Sequence, residues 1–88
     1  MTHRSVIVKL PTGLHLRPAA LFTQEACKYE SEITLQRGDM KVDAKSVMGV
    51  MALGAGPNTE VLITAEGPDE QEAVEALSHL LEAETIGA

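Results

Sequence analysis

Apolar positions alternate with polar ones in some stretches of the chain and recur at three- and four-residue intervals in others. The first pattern marks strands and the second marks helices. Residues 5–10 are β-branched and partly alternating, which places Val6, Val8 and Leu10 on one face of a strand. Pro11-Thr12-Gly13 ends it. Leu16, Ala19, Ala20, Ala26 and Cys27 then recur at helical spacing with Phe22 beside them, and predict a helix over about residues 16–28. Residues 31–37 alternate again, with Ile33 and Leu35 pointing one way. Gly38-Asp39 is a two-residue hairpin signal with glycine first, and Met40-Lys41-Val42 is the return strand. Ser46 suits a helix N-cap, and residues 47–53 read as a short apolar helix. Gly54-Ala55-Gly56-Pro57-Asn58 forms a loop. Residues 60–66 read as a fourth strand with Val61, Ile63 and Ala65 inward, and Gly67-Pro68-Asp69 turns the chain. Asp69 with Glu72 has capping-box spacing, and Ala73, Val74, Leu77, Leu80 and Leu81 make a helical stripe.

The order is strand, helix, strand, strand, helix, strand, helix. No helix-sized crossover separates the central two strands, so they form a hairpin. The expected fold is α+β: an open-faced β-sandwich, its four-stranded sheet mainly antiparallel with three helices on one face. Residues 1–88 are expected to form one domain. With one Phe, one Tyr and no Trp, the core must be built from aliphatic side chains. The short helix over residues 47–53 cannot bury all of Val47, Met48, Val50, Met51 and Leu53. Val50 and Leu53 are expected inside, with Val47, Met48 and Met51 partly exposed. The lone Cys27 has no partner for an intrachain disulfide and reads as a small buried hydrophobe.

Charge narrows the functional classes. The net charge is −6, yet all seven basic residues fall at or before position 45, so the carboxyl half is strongly acidic. An acidic chain almost without stacking aromatics is a poor nucleic-acid binder. No apolar run reaches the roughly 18 residues of a membrane span, and no signal-peptide pattern opens the chain. Cytoplasmic location without membrane insertion is the expectation.

The candidate chemistry sits in Gly13-Leu14-His15-Leu16-Arg17-Pro18-Ala19-Ala20, where the first strand hands over to the first helix. A helix start carries backbone N–H groups without intrahelical partners and a partial positive charge, which suits an anion such as phosphate. A histidine at that entry is a nucleophile able to carry a phosphoryl group, and Arg17 is a cation able to steady it. Pro18 suits a first helical turn, and Gly13 permits an unusual backbone angle. The helix end should also disfavour imidazolium and so lower the His15 pKa. Alone, His15 would read as a surface or capping histidine; the flanking residues change that. His3 and His79 lack such neighbours. Ser46 would serve as an N-cap whether or not a kinase acts on it. No supported Ser or Cys nucleophile is evident, which argues against a small hydrolase.

Gly13-Leu14-His15-x-Arg17-Pro18-Ala19 closely resembles the active-site signature of the HPr family, the histidine-containing phosphocarriers of the bacterial sugar phosphotransferase system. Lys45-Ser46-Val47-Met48-Gly49-Val50-Met51 resembles that family's regulatory-serine segment, and Ala65-Glu66-Gly67 matches as well. The resemblance covers essentially the whole chain. It implies a stoichiometric carrier, not an enzyme. Phospho-enzyme I would phosphorylate His15, on Nδ1 in the family, and His15 would pass the group to a sugar-specific enzyme IIA. Arg17 would stabilise the phosphate and Ser46 would take a regulatory phosphate. Leu16, Ala20, Val47, Met48 and Met51 would form the apolar docking surface for enzyme I, enzyme IIA and a serine kinase/phosphorylase. No cofactor or metal is implied, and a monomer is expected. The alternative is mainly a regulatory phosphoprotein acting through phospho-Ser46 on a transcription regulator. A sibling of HPr with such a role lacks the histidine at this position, whereas this chain retains it. The chain departs from the family pattern at Leu16, where a small or hydroxylated residue is usual.

Overall fold

The computed structural model describes residues 1–11, 13, 14 and 16–83. The strands are β1 (Thr2–Ile7), β2 (Glu32–Arg37), β3 (Met40–Asp43) and β4 (Glu60–Glu66), and the helices are α1 (Leu16–Ala26), α2 (Val47–Ala52) and α3 (Glu70–Glu82). They follow the expected order β-α-β-β-α-β-α. One sheet has strand order β1-β4-β2-β3, and every neighbouring pair is antiparallel. Since β1 and β2 both run against β4, they run parallel to each other with β4 inserted between them. This is the split β-α-β arrangement.

Period-two alternation turns one face of the sheet toward the helices. Val61, Ile63 and Ala65 of β4, Ile33 and Leu35 of β2, and Val6 of β1 are buried. The helices answer with Ala19, Phe22 and Ala26 of α1, Val50 of α2, and Ala73, Val74, Leu77 and Leu81 of α3. The other face carries residues such as Ser5, Glu60, Thr64, Thr34 and Gln36, and no element lies over it among the described residues. The sandwich is therefore open-faced.

Four local expectations are corrected. The first strand is Thr2–Ile7, not residues 5–10. Val8 and Leu10 are nonetheless buried on the same side as Val6. Beyond Ile7 the regular ladder gives way to single bonds: Val8 N–H donates to Thr59 O, the N–H of Asn58, which has a left-handed backbone (φ 64), donates to Val8 O, and Lys9 N–H donates to Leu81 O. α1 ends at Ala26 and not at about residue 28, and its buried stripe is Ala19, Phe22, Thr23 and Ala26, while Leu16 is exposed, as a docking residue must be. Cys27 is exposed, although its N–H still donates to Thr23 O (2.9 Å) just past the end of α1.

The fourth correction concerns Asp69, which is the N-cap residue of α3 but makes no side-chain cap bond. Its carboxylate reaches back to the start of β2 and accepts from Glu30 N–H (2.9 Å), Ser31 N–H (3.0 Å) and Ser31 Oγ (2.5 Å). Glu70 closes the turn instead, taking Gly67 N–H on Oε1 (3.2 Å). It also accepts from Thr2 Oγ1 (2.5 Å) and pairs with the Met1 amino group (2.9 Å).

These bonds favour the charged carboxylates. The Ser31 hydroxyl holds Asp69 below its usual range, and the Thr2 hydroxyl with the Met1 amine and Gly67 N–H brings Glu70 down to about 2. A carboxylate with a depressed folded pKa adds stability above its unfolded value and loses it as pH falls through the folded one. Stability is therefore expected to hold down to about the ordinary Glu70 value of 4.5 and to drop from there toward about 2. Melting temperatures across that range, for wild type, Asp69→Asn and Glu70→Gln, check this. Each variant should flatten the acid limb.

Candidate functional site

The loop that enters α1 is built against the loop that leaves α2. Gly13 N–H donates to Leu10 O (3.0 Å), closing a tight turn. Gly13 then takes φ +73, and a side chain there would have its Cβ 2.5 Å from Ala55 O and 2.7 Å from Gly56 Cα. The close approach lets Leu14 N–H donate to Ala55 O (2.9 Å) while the Leu14 side chain enters the core. Arg37 supports the same segment from the hairpin, donating from Nη1 to Gly54 O (3.3 Å). The backbone on either side of position 15 is thus anchored, by Leu14 before it and by buried Ala19 after it.

His15 itself lies outside the described residues, and so does its expected lowered pKa. Leu16 is the first residue of α1, and Arg17 follows it with an exposed side chain. No group of three or more His, Cys, Asp or Glu residues able to hold a metal occurs among the described residues. No described helix is long and apolar enough to cross a membrane.

Ser46 is the N-cap of α2, with an extended backbone (φ −111, ψ 115). Its Oγ accepts from Gly49 N–H at 3.1 Å, and its carbonyl accepts from Val50 N–H at 2.9 Å. The residue before it is tied down: Lys45 Nζ donates to Tyr29 O (2.7 Å), and Lys45 N–H donates to Asp43 Oδ1 (2.9 Å). Ser46→Ala should lower stability by about 1 kcal/mol, read in urea denaturation, since it leaves Gly49 N–H unpartnered.

The residues singled out for docking lie on two helices that pack together. Leu16 is 63 % exposed, Met48 78 % and Met51 37 %, while Ala20 and Val47 are half-buried. Val50 and Leu53 are fully buried, so the short α2 splits into an inner aliphatic side and an outer methionine side. Sequence reasoning missed the Gly13–Ala55 packing and the Arg37 bond. The glycine-rich run 54–56 was the available signal, read only as a loop.

Comparison with known proteins places this geometry. Residues 2–83 match the family model of the PTS HPr component phosphorylation site. The chain belongs to the HPr family. It is 50 % identical over 84 residues to the HPr-like protein Crh of Halalkalibacterium halodurans, covering 96 % of this chain and 100 % of that one. A crystal structure of HPr from Thermoanaerobacter tengcongensis superposes with a TM-score of 0.89 at 48 % identity, over 93 % of this chain and 92 % of that one. A crystal structure of Bacillus subtilis Crh, described as a catabolite repression protein and as a dimer with a swapped domain, gives a TM-score of 0.76 at 48 % identity, over 93 % and 94 %. The swapped dimer of so similar a chain runs against the expectation of a monomer.

Proposed function

We propose that the chain accepts a phosphoryl group from phospho-enzyme I on His15 and donates it to a sugar-specific enzyme IIA. The observation that carries this reading is the family match together with a histidine at position 15 of the matched signature, in a loop whose flanks are fixed by Gly13 and Leu14. In the transfer, a neutral imidazole nitrogen attacks phosphorus and the donor histidine leaves with its electron pair. The next transfer reverses the roles. Arg17 and the first N–H groups of α1 offset phosphate charge without a metal, a moderate clamp that suits a group held only transiently. The carrier is turned over stoichiometrically, as one HPr-like domain in the cytoplasm.

The direct check is a relay. With phosphoenolpyruvate, enzyme I and an enzyme IIA, phosphate should reach enzyme IIA only when this chain is added. His15→Ala should bring that transfer to background.

Ser46 adds regulation to the same reading. A phosphate on Ser46 would place negative charge beside the docking side of α2, slowing transfer to His15 and leaving the fold intact. Ser46→Asp should accept phosphate from enzyme I more slowly than wild type at an unchanged melting temperature. Likeness to the Crh proteins favours a second reading, a phosphoprotein that acts mainly through phospho-Ser46 on a transcription regulator. The histidine at position 15 favours the carrier, with regulation as an added role.

A further inference from the structure

α2 turns two thioethers outward. Met48 and Met51 are three residues apart on a two-turn helix, and both are exposed, while Val50 and Leu53 hold the helix to the core. The outer positions can therefore change chemistry without disturbing the inner ones. A mild oxidant converts the apolar thioether of methionine to a polar sulfoxide, and a methionine-lined contact surface is where that conversion matters.

We infer that Met48 and Met51 form a peroxide-modified site whose oxidation weakens docking of a protein partner on the α1–α2 face. Each sulfur takes one oxygen atom from hydrogen peroxide, and water leaves. A sulfoxide reductase reverses the step, its dithiol removing the oxygen as water and closing to a disulfide. The inference rests on the reading that this face receives phospho-enzyme I. Met48, the more exposed, should oxidise before Met51.

The experiment uses the full chain on a Cys27→Ser background, because the exposed Cys27 thiol would also react. After peroxide treatment and peptide mapping, KM for phosphorylation by phospho-enzyme I is expected to rise about tenfold, with kcat within about twofold of the untreated protein. The melting temperature should not change, and reductase treatment should restore KM. Met1 and Met40 are exposed too, so the decisive comparison is the ratio of treated to untreated KM in Met48→Leu/Met51→Leu. Whatever that variant's own KM, the ratio should be near one. An unchanged KM in the sulfoxide form, or an equal rise in the leucine variant, overturns the inference. If Met48→Gln/Met51→Gln docks phospho-enzyme I as well as wild type does, the docking reading fails first and the oxidation site loses its consequence with it.

Discussion

Replacing Gly13 with alanine should cost about 3 kcal/mol of stability and lower the melting temperature by about 15 °C. Two terms add. An L-residue at φ +73 pays for a left-handed backbone, and its Cβ would lie 2.5 Å from Ala55 O and 2.7 Å from Gly56 Cα. Both neighbours are backbone atoms, so no side-chain rotation relieves the clash; the loops must part and Leu14 N–H must move from Ala55 O. Gly38 separates the two terms. It also has positive φ (+58), but a Cβ there meets nothing within 4 Å. Gly38→Ala should cost about 1 kcal/mol, from the backbone alone. Urea denaturation of both variants reads the difference. Equal costs would mean that the entry to α1 is not packed on residues 54–56. Since a shift of an ångström in a reacting group costs on the order of a hundredfold in rate, Gly13→Ala should also slow phosphorylation while Gly38→Ala leaves it alone.

Phe22→Ala should be the other severe change, at about 4 kcal/mol. Phe22 is the sole phenylalanine of the chain and is fully buried on α1, the helix that packs on both α2 and α3. The small residues around it on that helix, Ala19 and Ala26, leave the ring to fill the space between layers. Truncation removes ring contacts that aliphatic neighbours cannot replace without backbone movement. Against a domain stability of about 5–10 kcal/mol, much of the folded margin goes. Phe22→Leu should cost about 1.5 kcal/mol and keep the transition cooperative. Cys27→Ser, one residue past the end of the same helix, should stay within about 0.5 kcal/mol because the thiol is exposed. A severe loss at Cys27 or a mild one at Phe22 would contradict this view of α1.

Period-two and period-3.6 patterns sufficed for the type and order of the elements and for the antiparallel hairpin, though not for the bounds of β1, because those signals are local. Strand order was not local: β4 lies between β1 and β2 through contacts distant in sequence, and only the general layering rule pointed to it. The differences at Asp69 and β1 have one cause. Their neighbours in sequence suggest one role, whereas the actual role is set by the chain that comes back to them. Asp69 had the spacing of a cap, but the start of β2 offered its carboxylate two backbone N–H groups and a hydroxyl. Thr2-His3-Arg4 looks too polar for a strand, yet β1 is an edge strand and pairs along its length with β4. At the candidate site, the sequence singles out His15 and Arg17 because a nucleophile, a cation, proline and glycine at fixed spacing rarely serve packing alone. The packing of the flanking loop is not legible, because Gly13, Ala55 and Gly56 act through backbone atoms and carry no side-chain signature.

The central claim is that His15 carries the phosphoryl group, and intact mass tests it most directly. Wild type and His15→Ala are incubated with enzyme I and phosphoenolpyruvate, weighed, and weighed again after mild acid. The account predicts one added phosphate on wild type, lost in acid as a phosphohistidine is, and none on the variant. Phosphate on neither protein, with enzyme I shown active on another carrier, or acid-stable phosphate on both, would contradict it.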